Sequence, residues 1–502
     1  MCGLLGIASN RMVAQEIYDA LTSLQHRGQD AAGMATENRG SIELIKANGM
    51  VKDVFRSEHM NKLLGNIGIG HVRYPTAGSA SSAEAQPLYS SYPISIFLAH
   101  NGNLVNHQEL RNRILQDNKK ILATSSDSEV ILYLLGQALA EKSSFDISEI
   151  LSAAQSLHGL CEGGYAVVAL LREKGLLAFR DPNGIRPLII GKRQSKAGIE
   201  RMVASESVAL DILGFKIERD VKPGECIFIE PNGNLHSKLS ESNTRLSPCI
   251  FEFVYFSRPD SFIDGVSVYK SRLRMGESLG AKILSVRPNH DIDVVIPIPD
   301  TARTTALQVA HVLGVKYREG FIKNRYIGRT FIMPGQQERK DSVRRKLNPI
   351  SLEFKGKNVL LVDDSIVRGT TSKEIIKMAR NAGASKVYFA SAAPPVKFPN
   401  VYGVDMPVRS ELIASGRSDL EVQKEIGADW LIYQGLEELI AAVAHEPTGV
   451  MNFDTSCFSG SYVAGNIDEN YLKTLEDARS DQVRTIRDNQ EIQKELQIVA
   501  TN

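Results

Sequence analysis

The run Val359-Leu360-Leu361-Val362 constrains this chain more than any other segment. Four consecutive apolar residues cannot alternate between a wet and a dry face, so the strand they form must be covered on both sides. The run ends in Asp363-Asp364, crosses a loop of small and hydroxyl-bearing residues, and meets a helical period near Ser372 to Ala382. Two neighbouring segments repeat the texture. Asp293 to Pro299 (DVVIPIP) precedes a helical period near Thr305 to Leu313, and Val387 to Ala390 (VYFA) follows the second helix. Short apolar runs alternating with helices predict a parallel sheet with crossover helices, an α/β unit.

That unit cannot account for the whole chain. At 502 residues, the length exceeds one ordinary domain of roughly 150 residues. The first ~235 residues read as strand-rich, with Ile67 to Val72, Ile94 to Ala99, Tyr165 to Leu170 and Leu176 to Phe179 as strands. Gln15 to Leu24 and Ser128 to Glu141 are helical in period, giving an α+β or layered pattern. The polar stretch His236 to Pro248 breaks the periodicity and reads as a linker, and the charged residues from Asn466 onward read as a peripheral helical tail.

Composition removes several classes. Lysine and arginine number 59 against 58 acids, a net charge of +1, so no bulk charge points to nucleic acid or an anionic membrane surface. The apolar runs are strand-sized, too short to span a bilayer, and Met1 to Gly6 lacks the basic flank and apolar core of a signal peptide. A cytoplasmic enzyme is the expectation. The five cysteines are scattered without a Cys-x-x-Cys pair, which argues against a disulfide framework or a zinc site.

One cysteine stands at position 2, before Gly3. Trimming of the initiator methionine leaves its thiol and a free α-amine on one residue, and such an amine has a reference pKa near ~7.7–8.0. The amine can then serve as the base for its own nucleophile. Four polar clusters lie at the ends of apolar runs: Gln25 to Asp30 (QHRGQD), Gly70 to Thr76 (GHVRYPT), Ala99 to Leu104 (AHNGNL) and Ser126 to Glu129 (SDSE). Each has a plain structural reading by itself. His71 and His100 suit satisfied core histidines, Asn101-Gly102 a turn, Ser126-x-x-Glu129 a capping box, and Arg73 a surface charge.

In this order after Cys2, the clusters resemble the class II glutamine amidotransferase domain, an N-terminal-nucleophile hydrolase with a four-layer αββα sandwich. The resemblance covers residues 2–235 and implies hydrolysis of glutamine to glutamate and ammonia. It makes Cys2 the nucleophile, Asn101 and Gly102 the oxyanion hole, and Arg73, Thr76 and Asp127 the contacts to the α-carboxylate and α-ammonium of glutamine. Arg27 and Gly28 shape the loop beside Cys2.

In the second half, a buried strand ending in two carboxylates suits vicinal ribose hydroxyls or a hydrated Mg²⁺, and the loop leading into the helix suits a phosphate dianion. A plain turn with a helix cap is the bland alternative. The segment resembles the signature of type I phosphoribosyltransferases over residues 250–465, a parallel-sheet α/β domain, with residues 466–502 as the helical tail. The resemblance places Asp363 and Asp364 on the ribose and metal, and Ser365, Val367, Arg368, Gly369, Thr370 and Thr371 around the 5′-phosphate. Asp300, Thr301, Ala302 and Arg303 form the pyrophosphate loop. A serine is frequent in relatives at Ala302, so a metal contact there must be backbone or indirect. Lys323 to Lys346 carries eight bases against two acids, with an apolar tip at Phe331-Ile332-Met333, and suits a lid over a multiply anionic substrate.

Joined, the halves resemble the glutamine phosphoribosylpyrophosphate amidotransferase family. Membership implies transfer of ammonia to 5-phosphoribosyl 1-diphosphate, with one Mg²⁺ per subunit. It also implies a homo-oligomer, usually a tetramer, inhibited by the purine nucleotides AMP and GMP, and no nucleic-acid or membrane partner. Arg325, Tyr326, Arg329 and Ile332 of the lid are expected to meet Tyr74 and form a dry ammonia path. Some relatives carry a four-cysteine iron–sulfur cluster. Cys249 and Cys457 stand at two such positions, but Asn400 and Asp454 replace the others, so no iron–sulfur cluster is expected. A sugar-phosphate aminator or an asparagine synthetase would need a different second domain. A purine-sensing regulator would have lost its catalytic residues.

Overall fold

The computed structural model describes residues 1–74, 82–118, 121–240, 244–324, 346–444 and 448–479. The N-terminal half is built on β1 Gly3–Ala8, β2 Ala31–Asn38, β3 Ser41–Asn48, β4 Ile67–Arg73, β5 Leu88–Ser90, β6 Ile96–Leu104, β7 Gly163–Leu171, β8 Gly175–Arg180, β9 Ile189–Ser195, β10 Gly198–Ala204, β11 Lys216–Asp220, β12 Glu225–Ile229 and β13 Leu235–Leu239. They form two sheets, ordered β11-β9-β10-β1-β4-β2-β3 and β13-β12-β8-β7-β6-β5.

The period of two in β1 explains the layering. Leu4 and Ala8 point between the sheets, where they meet Ile69, Ala99, Val168 and Ile227. Leu5 and Ile7 point outward onto Ile17 and Leu21 of the helix Ala14–Ser23. On the far side, helices Asp127–Ala140 and Ile147–Ser156 cover the second sheet with Val130, Leu135 and Ile150. The result is the four-layer αββα sandwich. β13 runs into the segment expected to be linker. It is an edge strand with a polar, half-exposed sequence, so it lacks the alternation that marks a strand.

In the C-terminal half, β14 Phe262–Ile263 and β15 Val266–Ser267 form a hairpin, and β18 Phe321–Lys323 pairs with β19 Leu347–Pro349. β16 Val294–Pro297, β17 Lys316–Tyr317, β20 Asn358–Asp363, β21 Lys386–Ser391 and β22 Trp430–Tyr433 make a parallel sheet ordered β17-β16-β20-β21-β22. Its central strand is covered on both faces, as its four-residue apolar run requires. Val359 and Leu361 pack on Ile375 and Ile376 of the helix Thr370–Asn381. Leu360 and Val362 pack on Leu279 and Ile283 of Val268–Val286 and on Val309 of Arg303–Leu313. The tail begins with the helix Glu469–Arg479, whose Leu472 and Leu475 lie on the core that includes Met406. Among the described residues no helix is long and apolar enough to cross a membrane.

Candidate active sites

Cys2 lies at the start of β1, and the antiparallel register Gly3↔Val72 brings the end of β4 alongside it. The thiol sulfur accepts from the Tyr74 backbone N–H (3.4 Å), and its own hydrogen points to the Tyr74 carbonyl (3.6 Å). From the facing sheet, β6 delivers Asn101, whose Oδ1 accepts from the Cys2 backbone nitrogen at 3.1 Å. The Asn101 Nδ2 is buried and has no acceptor among the described residues. An unanswered buried amide donor is costly to fold around, so it marks a place for an acceptor that arrives later. Gly102 follows at φ +147°, and a Cβ there would sit 2.0 Å from the Gly164 carbonyl oxygen. Only glycine fits that backbone.

The surrounding residues hold this geometry. Gly28 packs so tightly that a Cβ would lie 2.6 Å from the Arg73 carbonyl. The Arg73 guanidinium is buried and donates to Glu84 (2.5 Å), which also accepts from Ser125. Asp127, at the first turn of its helix, accepts from the Leu104 N–H (2.9 Å) and lies 3.6 Å from His100 Nδ1. Burial works to raise its pKa, but His100 and His107 outweigh that and hold it near about 2. His71 lies in the core but is only half satisfied, since its Nδ1 has no partner among the described residues. Burial depresses it to about 3, so it is neutral and donates through Nε2 to the His100 carbonyl across the two sheets. The Ser126 cap forms, accepting from Ser128, but the expected capping box does not. Glu129 turns back to accept from Ala123 and Thr124 instead.

A buried charge network reaches from here into the other half. Arg27 Nε donates to the Cys2 carbonyl (3.1 Å), while its terminal nitrogens bind Glu206 and Glu252. Glu252 also accepts from Arg186 (2.5 Å) and Ser257 (2.7 Å). Burial works to raise Glu252, but Arg27 and Arg186 hold it below the usual carboxylate range. Sequence reading missed Glu84, Glu206 and Glu252. A signal existed for the last: one carboxylate inside the wholly apolar Cys249-Ile-Phe-Glu252-Phe-Val-Tyr-Phe256 must be buried, and buried charges are paired.

The second site occupies the carboxyl edge of the parallel sheet. Asp363 and Asp364 leave the end of β20 side by side. Burial and the neighbouring carboxylate push Asp363 well above its ordinary value. Burial lifts Asp364 to about 6, against opposition from Ser365 and Arg272. Two crowded carboxylates offer hard oxygen ligands to a divalent cation and acceptors to hydroxyl groups. Ser365 donates to Asp364 (2.8 Å), and Gly369, at φ +75°, turns the loop into the helix that begins at Thr370. Arg368 is held by Glu411. Across the sheet edge, Asp300 is paired with Lys323 (3.0 Å) and faces Arg303 (3.5 Å), beside Thr301. Ala302 is buried, and its carbonyl opens the following helix by accepting from Ala306, so its backbone is engaged.

Thr76 and the lid residues Arg325, Tyr326, Arg329 and Ile332 lie outside the described residues. The four positions compared with a cluster site are all buried. Asn400 reaches Asp454 (3.4 Å), Asp454 pairs with Cys249, and Cys457 belongs to the same core. Among the described residues no group of three or more His, Cys, Asp or Glu is arranged to hold a metal ion.

A cysteine beside an unanswered buried amide donor, and a carboxylate pair ahead of a glycine-turned loop, fit a glutamine amidotransferase joined to a phosphoribosyltransferase. Comparison with known proteins agrees. The glutamine amidotransferase domain family matches residues 71–211, and the phosphoribosyl transferase domain family matches residues 276–395. The chain is 57% identical to the amidophosphoribosyltransferase of Pseudomonas aeruginosa over 96% of both chains. It is 54% identical to that of Escherichia coli over 98% of both. The solved glutamine phosphoribosylpyrophosphate amidotransferase of B. subtilis, complexed with ADP and GMP, superposes with a TM-score of 0.82 at 36% identity, covering 93% of this chain and 98% of that one. The chain belongs to the amidophosphoribosyltransferase family, glycosyltransferases that carry a glutamine amidotransferase domain.

Proposed function

We propose that this chain performs its family's reaction with the residues placed above. Glutamine is hydrolysed at Cys2, and the ammonia displaces pyrophosphate from 5-phosphoribosyl 1-diphosphate to give 5-phosphoribosylamine, the first committed step of purine synthesis. The unanswered Asn101 Nδ2 carries the reading. With Met1 removed, the Cys2 nitrogen on Asn101 Oδ1 becomes an α-amine beside the thiol. It takes the thiol proton as sulfur attacks the glutamine side-chain amide. The oxyanion that forms is met by Asn101 Nδ2 and the Gly102 N–H, and the α-amine returns the proton to the leaving ammonia. Arg73, steadied by Glu84, forks onto the α-carboxylate of glutamine together with Thr76, and Asp127 answers the α-ammonium.

In the second site the loop from Ser365 to Thr371 binds the 5′-phosphate at a helix N-terminus. Asp363 and Asp364 hold the ribose hydroxyls, and the Asp300 to Arg303 loop holds the pyrophosphate. Asp363 and Asp364 are also the residues that fit Mg²⁺; when bound, the ion neutralises charge on the leaving pyrophosphate. These residues position the anomeric carbon and stabilise an oxocarbenium-like transition state. Tyr74 with Arg325, Tyr326, Arg329 and Ile332 lines the ammonia path. A cytoplasmic homotetramer inhibited by AMP and GMP, without an iron–sulfur cluster, completes the proposal. The nucleotides bound to the B. subtilis relative support the inhibitor assignment.

Cys2→Ala separates the two half-reactions. It abolishes synthesis from glutamine and leaves synthesis from ammonium salt at the wild-type rate. Equal loss of both, or loss of neither, refutes the scheme. N-terminal mass reads methionine removal directly.

A further inference from the structure

The oxyanion backbone at Gly102 is not held by the N-terminal half alone. Gly403, from the C-terminal half, lies against it. A Cβ on Gly403 would fall 2.8 Å from both Cα and C of Gly102, with φ at +101°. Neither atom can yield without moving the oxyanion hole. The flanking residues fix the approach: Asn103 Nδ2 donates to the Val401 carbonyl (2.9 Å) and Arg186 to the Tyr402 carbonyl (3.2 Å). The turn is internally braced as well, because Asn400 Oδ1 accepts from the N–H groups of Tyr402 (2.8 Å) and Val404 (3.1 Å).

The same stretch of chain ends on the other site. Glu411 accepts from Arg368 Nε (2.9 Å) and Nη2 (2.5 Å) in the phosphate loop. The Ile413 N–H donates to the Val367 carbonyl at 2.9 Å. The Ile413 side chain fills the space over Gly369, where a Cβ would come within 2.2 Å of Cδ1. Between these ends, Arg409 is tied to Glu469 of the tail helix (3.3 Å) and Ser410 to Glu476.

We infer that residues 401–413 form a positioning strap: Gly403 sets the oxyanion backbone of the glutaminase site, and Glu411 sets Arg368 in the phosphate loop, through one braced segment. Gly403 is thus a positioning residue for a reaction carried out wholly by residues of the other half. The inference rests on the reading under Proposed function.

Gly403→Ala and Glu411→Gln in the full-length protein test it, with kcat and KM measured for glutamine-dependent and ammonium-dependent synthesis, the nitrogen donor and phosphoribosyl diphosphate each varied with the other saturating. Wild type run in both assays tests the underlying reading separately, since failure of that reading removes activity before any variant is made. Gly403→Ala is expected to lower the glutamine-dependent kcat by about 10²-fold or more, the scale of a lost oxyanion donor, with the ammonium-dependent rate within about twofold. Glu411→Gln is expected to raise the KM for phosphoribosyl diphosphate in both reactions and to lower the glutamine-dependent kcat more than the ammonium-dependent one. Equal losses in both reactions for Gly403→Ala overturn the assignment of Gly403. Parallel kcat changes for Glu411→Gln overturn transmission through the strap. Glu411→Gln keeps size and acceptor, so it remains informative if Gly403→Ala does not fold.

Discussion

Asn101→Asp isolates the proposed oxyanion donor better than any truncation. The aspartate is isosteric and keeps an oxygen where Oδ1 accepts from the Cys2 nitrogen at 3.1 Å, but it replaces the Nδ2 donor with a second acceptor. In the resting protein Nδ2 touches no acceptor among the described residues, so no hydrogen bond from it is lost from the ground state. The whole effect belongs to the transition state. Removing one such donor typically costs ~2.7–4 kcal/mol, or about 10²–10³ in kcat, and repulsion between a carboxylate and the developing oxyanion drives the loss to the upper end. The assay is steady-state glutamine hydrolysis alongside ammonium-dependent synthesis. The expected pattern is a kcat lowered about 10³-fold, a glutamine KM nearly unchanged, and an unaffected ammonium reaction. A raised KM with kcat preserved would assign Asn101 to substrate binding and refute the argument.

Glu84→Gln weakens the charge-assisted bond that aims Arg73, worth about 1.5–3 kcal/mol, so the glutamine KM rises roughly 10–100-fold in initial-rate measurements while kcat moves little. Asp220 accepts from the Asp264 N–H; burial and the Asp264 charge raise its pKa to about 7. A raised folded-state value means the folded protein holds the proton more tightly, so this group costs stability as pH climbs from about 4 through 7. Thermal melts should therefore find Asp220→Asn more stable than wild type above pH 7, with the gap closing near pH 4. Glu252→Ala strips Arg27 and Arg186 of a shared buried partner. Loss of one member of such a set costs about 3–5 kcal/mol, read as a lower urea midpoint.

The sequence marked the strands ending near Arg73 and Asp363 closely, because each is fully buried, but Ile94 to Ala99 fell short: β6 runs Ile96–Leu104, so Asn101-Gly102 lies within a strand and not in a turn. The run from Val359 ends at Asp363, one residue beyond its apolar part, and Ile67 to Val72 extends only to Arg73. Cys2 and Asp363 were legible as candidates because each stands at the end of an apolar run, beside β1 and at the close of β20. The residues that hold them were not. Glu84 serves Arg73 from a short turn with no periodicity, and Gly403 meets Gly102 across some 300 positions of sequence. Such contacts are products of tertiary packing, and no local pattern encodes them. β13 failed differently, since an exposed edge strand has little apolar face to betray it.

The Arg27–Glu252–Arg186 cluster bears on how such a protein can be rearranged. Two of its three charges come from one half and the carboxylate between them from the other. A fragment ending near residue 240 would keep Glu206 for Arg27 but would remove Glu252, the carboxylate that pairs with Arg186. The glutaminase half is consequently not a portable cartridge. Grafting it onto another acceptor domain, by an engineer or by gene fusion, requires that the new partner bring a buried acid to the position of Glu252 and a glycine turn to that of Gly403. That demand makes the pairing of these two catalytic units heritable as a pair, rather than as interchangeable parts.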